Sequence, residues 1–198
     1  MESKQEYEIE EHPWQPWLPQ AAKVLFMGTF PPGAHRWSMD FYYPNPINDF
    51  WRIMGLLLLD DKLALYNSDT KSFNLEKIKE LTTAKGIAMS DTVKKARRLR
   101  GNASDKFLEV IEGNNPADLL KDLPLCTDLA TTGEKAADVI ASLTGTEAPK
   151  MGQYITWQME PQRSLRIWRM PSTSRAYPMA LEKKAEYYRL LLKTCGIM

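Results

Sequence analysis

The sequence predicts an α/β protein of three layers, α/β/α, with a central and mostly parallel sheet of about four strands. Three observations predict it. Short apolar runs alternate with stretches of helical periodicity, in the order strand, loop, helix, several times over. Two of the runs, near residues 24–27 and 164–170, end in polar loops rather than in tight hairpin turns. The composition, 43% hydrophobic and 26% charged over 198 residues, is that of one ordinary globular domain with room for a full core.

In chain order, residues 1–22 form an N-terminal extension, first acidic and then rich in Trp and Pro. Pro13, Pro16 and Pro19 exclude a regular helix, and Trp14 and Trp17 are expected to dock the segment on the core. Lys23–Met27 reads as a buried strand. Asn48–Leu59 has helical spacing, with Trp51, Met54, Leu57 and Leu58 available for one face. Leu75–Ala84 reads as a second helix, closed by Gly86. Ile87–Met89 is a short strand. A helix is expected from Ser104 to Ile111, broken by Gly113, Asn114, Asn115 and Pro116. Pro124–Ala130 reads as a strand, Glu134–Leu143 as a helix and 144–153 as a turn region. Ser164–Met170 alternates Leu165 and Ile167 with Arg166 and Arg169, a strand pattern. Met179–Lys193 is strongly helical. No internal repeat or low-complexity tract is visible.

The net charge of +1 gives no global nucleic-acid signal, although a local basic groove is compatible with it. Lys94, Lys95, Arg97, Arg98 and Arg100 form a basic run that is either a solvated face or a phosphate contact. Cys126 and Cys195 lack metal-ligand spacing and read as buried free thiols. His12 and His35 do not pair with them as ligands, so no metal is expected. GxxxxGK[ST], GxGxxG and GxSxG are all missing, so neither a nucleotide cofactor nor a serine hydrolase is supported. The acidic N-terminus shows no signal-peptide pattern, and the longest apolar run, near Leu56–Leu59, cannot span a bilayer. A cytoplasmic monomer without cofactors, off the membrane, is the expectation.

The chemistry concentrates in two loops, 28–48 and 170–178, both expected at the carboxyl edge of one sheet. The first holds Gly28-Thr29-Phe30-Pro31-Pro32 and then Tyr42-Tyr43-Pro44-Asn45-Pro46-Ile47-Asn48-Asp49-Phe50-Trp51. The second holds Met170-Pro171-Ser172-Thr173-Ser174-Arg175, with Leu181-Glu182-Lys183 after it. Aromatics beside amides suit a flat ligand with polar edges, such as a nucleobase. Asn48 also reads as a helix cap, Tyr43 as a core aromatic, and Arg175 as a surface charge.

These stretches resemble the uracil-DNA glycosylase superfamily, in particular its mismatch-specific and hypoxanthine-DNA glycosylase branches. Gly86-Ile87-Ala88-Met89-Ser90-Asp91-Thr92-Val93 and the segment Leu129–Ala136 resemble two further motifs of that superfamily. The match is collinear over residues 23–193, so 23–198 is identified as a glycosylase-like domain. The resemblance implies hydrolysis of the N-glycosidic bond of a flipped, deaminated base (uracil or hypoxanthine) in DNA, without a metal. It implies Asn48 as catalytic amide. It places Gly28, Thr29, Phe30, Tyr43, Asn45 and Thr132 around the base, with Tyr43 stacking on it. Pro171, Ser172, Thr173, Ser174 and Arg175 would contact DNA. The sequence departs from the pattern at Phe30, Asn45, Met170 and Thr132. Those departures support a rival reading, a catalytically inactive nucleic-acid-binding or repair-accessory protein of the same fold.

Overall fold

Strand β2 (Val24–Gly28) lies inside the central sheet and is buried at every residue. Successive side chains along a strand point to opposite faces, and β2 builds one core on each. Val24 and Phe26 join the cluster that contains Trp51, Met54, Tyr188 and Leu191. Leu25 and Met27 join a second cluster with Leu120, Leu129 and Ile140. A strand apolar on both faces needs cover on both sides, which is the physical reason for three layers.

A computed structural model describes residues 7–99, 105–159 and 162–198. In chain order the elements are β1 (Ile9–Glu11), β2, α1 (Phe50–Leu59), β3 (Tyr66–Asn67), β4 (Ser72–Phe73) and α2 (Leu75–Lys85). Then come β5 (Ile87–Asp91), β6 (Val93–Arg98), β7 (Leu108–Gly113), α3 (Pro116–Lys121), β8 (Asp128–Thr132) and α4 (Glu134–Thr144). The hairpin β9 (Tyr154–Met159) and β10 (Arg163–Met170) and the final α5 (Leu181–Thr194) complete the chain. The central sheet runs β5-β2-β8-β10-β9. Its first four strands are parallel, and β9 is antiparallel to β10. Side chains of α1, α2 and α5 pack on one face, and those of α3 and α4 on the other.

The expected mostly parallel sheet of about four strands is present, with β9 as a fifth, antiparallel strand. Its Ile155, Trp157 and Met159 lie against the second core while Tyr154, Thr156 and Gln158 face outward. A correction concerns residues 104–111. Ser104 and Arg100 lie outside the described residues. From Leu108 onward the chain is strand β7, preceded by a single 3-10 turn over Asp105–Phe107, and not a helix. Leu108 and Val110 face a small apolar cluster. The alternation of that segment has period 2, which a helical reading overlooks.

β7 pairs with β6, and β6 with β1, in a second antiparallel sheet. This sheet decides the fate of the basic run. Lys95 lies 3.1 Å from Glu11 and 3.6 Å from Glu112. Arg97 lies 2.8 Å from Glu109, and Arg98 2.8 Å from Glu10. Cross-strand glutamates therefore lie against the described part of the run, Lys94 to Arg98.

The segment before β2 lies along the edge of β5. Trp17 and Met89 exchange backbone hydrogen bonds at 2.9 Å, and the Trp17 indole donates to Thr82 Oγ1 at 3.0 Å. The sheet edge is thus covered. Cys126 and Cys195 are both buried free thiols, and burial pushes each up to about 12.

Asn74 caps α2 by accepting the Lys77 N–H at 3.0 Å, and Gly86 ends it at φ +70°. A Cβ at Gly86 would sit 2.6 Å from the Ala21 carbonyl oxygen. Gly86→Ala is therefore expected to lower stability by more than about 1 kcal/mol, because strain adds to contact. A chemical-denaturation midpoint equal to the parent's would contradict this.

Candidate functional site

A cleft of about 640 Å³ opens at the carboxyl ends of the parallel strands. Gly28 ends β2, Asp91 ends β5 and Thr132 ends β8, and the loop after β10 closes the far side. This is where open parallel sheets present ligands, because the loops diverge there. The cleft gathers Gly28, Thr29, Phe30, Tyr43, Asn45, Asn48, Thr132, Ser172, Thr173, Ser174 and Arg175. Pro171 is buried outside the lining, where its carbonyl accepts from Tyr188 OH at 3.0 Å.

Tyr43 adopts φ +52°, uncommon for a residue with a side chain. Its ring stacks on Phe50 at 3.9 Å and 8°, and its hydroxyl shares a 2.8 Å hydrogen bond with Thr132 Oγ1. One ring face is therefore already covered. Burial, followed by the nearby Asp91 charge, holds the phenol well above its ordinary value, so it stays neutral. Phe30 packs against the cluster of Val93, Ala96 and Leu108. The His12 ring stands edge-on to it at 5.6 Å, and the Arg98 guanidinium lies 5.4 Å above it.

Asn48 sits at the turn into α1. Its Oδ1 accepts the Phe50 N–H at 2.9 Å in an Asx turn one residue ahead of the N-cap, Asp49, whose side chain makes no cap bond. Its amide nitrogen makes no hydrogen bond among the described residues. Asn45 Oδ1 accepts the Ile47 N–H at 3.1 Å, and the Asn48 N–H donates to Asn45 O at 2.9 Å. Beneath this turn Arg52 donates to Pro46 O at 2.6 Å and to Asn48 O at 3.1 Å, with Tyr66 stacked 4.5 Å away. Burial and the charge of Arg175 lower the Arg52 pKa from its ordinary value.

Asp49 ties the two halves of the cleft together. Its carboxylate is 7% exposed and lies 3.0 Å from Lys184 Nζ and 3.1 Å from Arg175 Nε. Lys184 is fully buried on α5 and also donates to Ser174 O at 2.8 Å. The Asp49 N–H donates to Thr173 O at 2.9 Å.

Sequence reasoning missed this clamp, Arg52 and the pair Asp91–His12. Asp91 is the one carboxylate in the cleft lining among the described residues. Its Oδ2 lies 2.9 Å from His12 Nε2. Its Oδ1 faces Gly28, where a Cβ would come within 2.6 Å, and makes no hydrogen bond among the described residues. A Cβ there would also come within 3.2 Å of Tyr43 OH, so only glycine lets both groups converge. The available signal was positional. Asp91 follows an apolar run and ends a strand parallel to β2, in register with Gly28.

Burial lowers the His12 pKa, but the Asp91 hydrogen bond and charge and the Trp14 carbonyl outweigh it, so the net shift is upward from 6.5. Arg36, Lys106 and Arg175 add positive charge to the lining. Among the described residues no three His, Cys, Asp or Glu side chains are grouped to hold a metal. No described helix is long and apolar enough to cross a membrane.

The chain matches no protein-family profile and no curated protein sequence. Its structure is similar to the solution NMR structure of a "putative uracil DNA glycosylase" from Methanosarcina acetivorans. The two agree with a TM-score of 0.64 at 18% sequence identity, over 96% of this chain and 99% of the other. At that identity the likeness establishes a shared fold.

Two predictions follow from these contacts. Lys184→Met leaves Asp49 buried beside Arg175 alone, and about 3 kcal/mol of stability is expected to be lost. Asp49→Asn in the same chain is expected to restore part of it. Denaturant unfolding of the single and double variants decides, and a single variant as stable as the parent contradicts the clamp. For His12, a folded pKa above 6.5 means that the pair stabilises fully below 6.5 and fades as pH rises through the folded value. Melting temperatures across that window should fall in the parent relative to His12→Ala. Parallel curves would sink the idea.

Proposed function

We propose that this protein is a monofunctional DNA glycosylase that removes a deaminated base, uracil or hypoxanthine, by hydrolysis. The observation that carries the reading is the convergence of loops 28–48 and 171–178 on one cleft, with an amide, a neutral phenol and a carboxylate inside it and cations on its rim. The resemblance in sequence and the shared fold support it.

A base inside a duplex is out of reach, so the nucleotide is flipped into the cleft. Phe50 covers one face of Tyr43, which leaves the other for the base. Asp91 Oδ1 is an acceptor only. Deamination turns a ring nitrogen from acceptor into N–H donor, so this oxygen attracts the lesion and repels the parent base. The bond between C1′ and the base nitrogen then breaks, with its electron pair leaving on the base. Asn48 Nδ2, without a partner among the described residues, donates to that developing charge, and preorganised donors of this kind contribute about 3 kcal/mol. A water oxygen bonds to C1′, and the proton it loses passes through solvent to the departing base anion, which leaves as the neutral base. Asn48 Oδ1 keeps a lone pair for that water beyond the one used by Phe50. Ser172, Thr173, Ser174 and Arg175 contact the strand and fill the vacated stack. The products are a free base and an abasic site.

The test uses single-stranded and duplex oligonucleotides carrying uracil, hypoxanthine or xanthine, scored for alkali-labile abasic sites. Release is expected from at least one lesion and should fall about 100-fold in Asn48→Ala. Binding without release from any of them overturns the enzyme and leaves a nucleic-acid-binding protein.

A further inference from the structure

Beside the cleft lies a second, shallower groove of about 580 Å³. One wall is the turn around His35 and Arg36, and the other is the tip of the β3–β4 hairpin with Thr70 and Lys71. The two cavities are adjacent: Arg36, Asn45 and Ile47 line both. We propose that this groove carries the nucleic-acid strand away from the flipped nucleotide, with Arg36 and Lys71 on its flanking phosphates and Ile47 between the neighbouring bases. The proposal rests on the glycosylase reading of the cleft, and it adds a strand path that the reading alone does not supply.

Charge is the first support. No carboxylate among the described residues lines the groove. Among the described residues, none of His35, Arg36 and Lys71 lies within 4 Å of a carboxylate oxygen, the criterion for an ion pair. The basic side chains of β6 contrast with this, because Lys95, Arg97 and Arg98 each lie against a glutamate. The acid in the hairpin turn, Asp69, does not line the groove. Arg36 and Lys71, two cations without a carboxylate partner among the described residues, suit a polyanion, whose counterions they displace.

Preorganisation is the second. Lys71 is held at φ +52° on a turn built by Asn67, whose Oδ1 accepts from the Asp69 and Thr70 N–H groups at 2.9 and 3.2 Å. The hairpin is joined to the cleft wall through Ser38, whose Oγ donates to Pro44 O at 2.9 Å and accepts from the Phe73 N–H at 3.4 Å. Arg52 bridges the Tyr66 ring and the carbonyls of Pro46 and Asn48. A strand crossing from cleft to groove therefore meets a fixed surface.

Ile47 is the third. It is 55% exposed on the tip of the Asn45–Asn48 turn, the apolar boundary between two polar cavities. Its backbone is fixed by Asn45. An apolar side chain held rigidly between phosphate-binding surfaces suits insertion between bases, which stabilises a kinked strand.

The test measures fluorescence anisotropy of labelled oligonucleotides carrying a tetrahydrofuran abasic analogue, single-stranded and duplex, across a potassium chloride series. Arg36→Ala and Lys71→Ala are each expected to reduce the slope of log affinity against log salt by about 0.9 on duplex and about 0.7 on single strands. The double variant should add the two losses. Ile47→Gly should weaken binding while leaving the slope unchanged. Melting temperatures equal to the parent's establish that the variants are folded. A double variant with the parent's affinity and slope overturns the groove, even where the parent releases bases. A parent that binds inorganic phosphate but no oligonucleotide overturns it together with the glycosylase reading.

Discussion

The Asp49 carboxylate, held between Lys184 and Arg175, is the constraint on which the shape of the cleft depends. It stands at the start of α1, directly after the Asn45–Asn48 turn, and its partners come from α5 and from the loop after β10. Those segments are separated by more than a hundred positions in sequence, so no local propensity could align them. A buried ion pair seldom stabilises a fold more than apolar packing would. It does fix geometry, because leaving either charge unpaired is costly. Here the Ser174 carbonyl accepts from the same lysine and Thr173 O accepts from the Asp49 N–H. The loop carrying Ser172–Arg175 is thereby held at a set distance from Asn48.

A second constraint acts at the floor. Parallel pairing places Gly28 and Asp91 side by side at the ends of β2 and β5. The missing Cβ at Gly28 leaves space that Asp91 Oδ1 and Tyr43 OH approach together. His12 reaches in from the N-terminal segment and fixes the other carboxylate oxygen. The segment that covers the edge of β5 thus also orients a group in the cleft, so sheet protection and site geometry share the same residues.

The layers and the parallel sheet were legible in the sequence because burial on both faces forces continuous apolar runs, as in Val24–Met27 and Leu129–Ala130. The position of the cleft was legible because the polar loops follow those runs. What escaped was set by long-range pairing. Residues 108–113 have a helical composition around Glu109 and Glu112, yet they pair with β6, whose arginines and lysines need those glutamates. The lysine at position 184 lies in a stretch that reads as a charged helix surface, Glu182-Lys183-Lys184-Ala185-Glu186. Its burial follows only from the angle at which α5 meets Asp49. Asn48 was open to both a cap and a chemical role from sequence; its Oδ1 is used in a turn just ahead of the cap, and its Nδ2 has no partner among the described residues.

Two buried carboxylates at opposite ends of the sheet are engaged in different ways. Asp128, at the amino end of β8, is fully buried, and both its oxygens are engaged. Arg166 grips it at 2.7 Å through two nitrogens and the Trp168 indole donates at 2.8 Å. Asp91, at the carboxyl end of β5, has one oxygen engaged by His12 and the other turned toward the cleft with no donor from the described residues. That oxygen is reached from the cleft rather than sealed in the core, whereas the Asp128 carboxylate is saturated by protein donors. At the end of the sheet where the loops open, Asp91 thus keeps acceptor capacity that Asp128, saturated at the other end, does not.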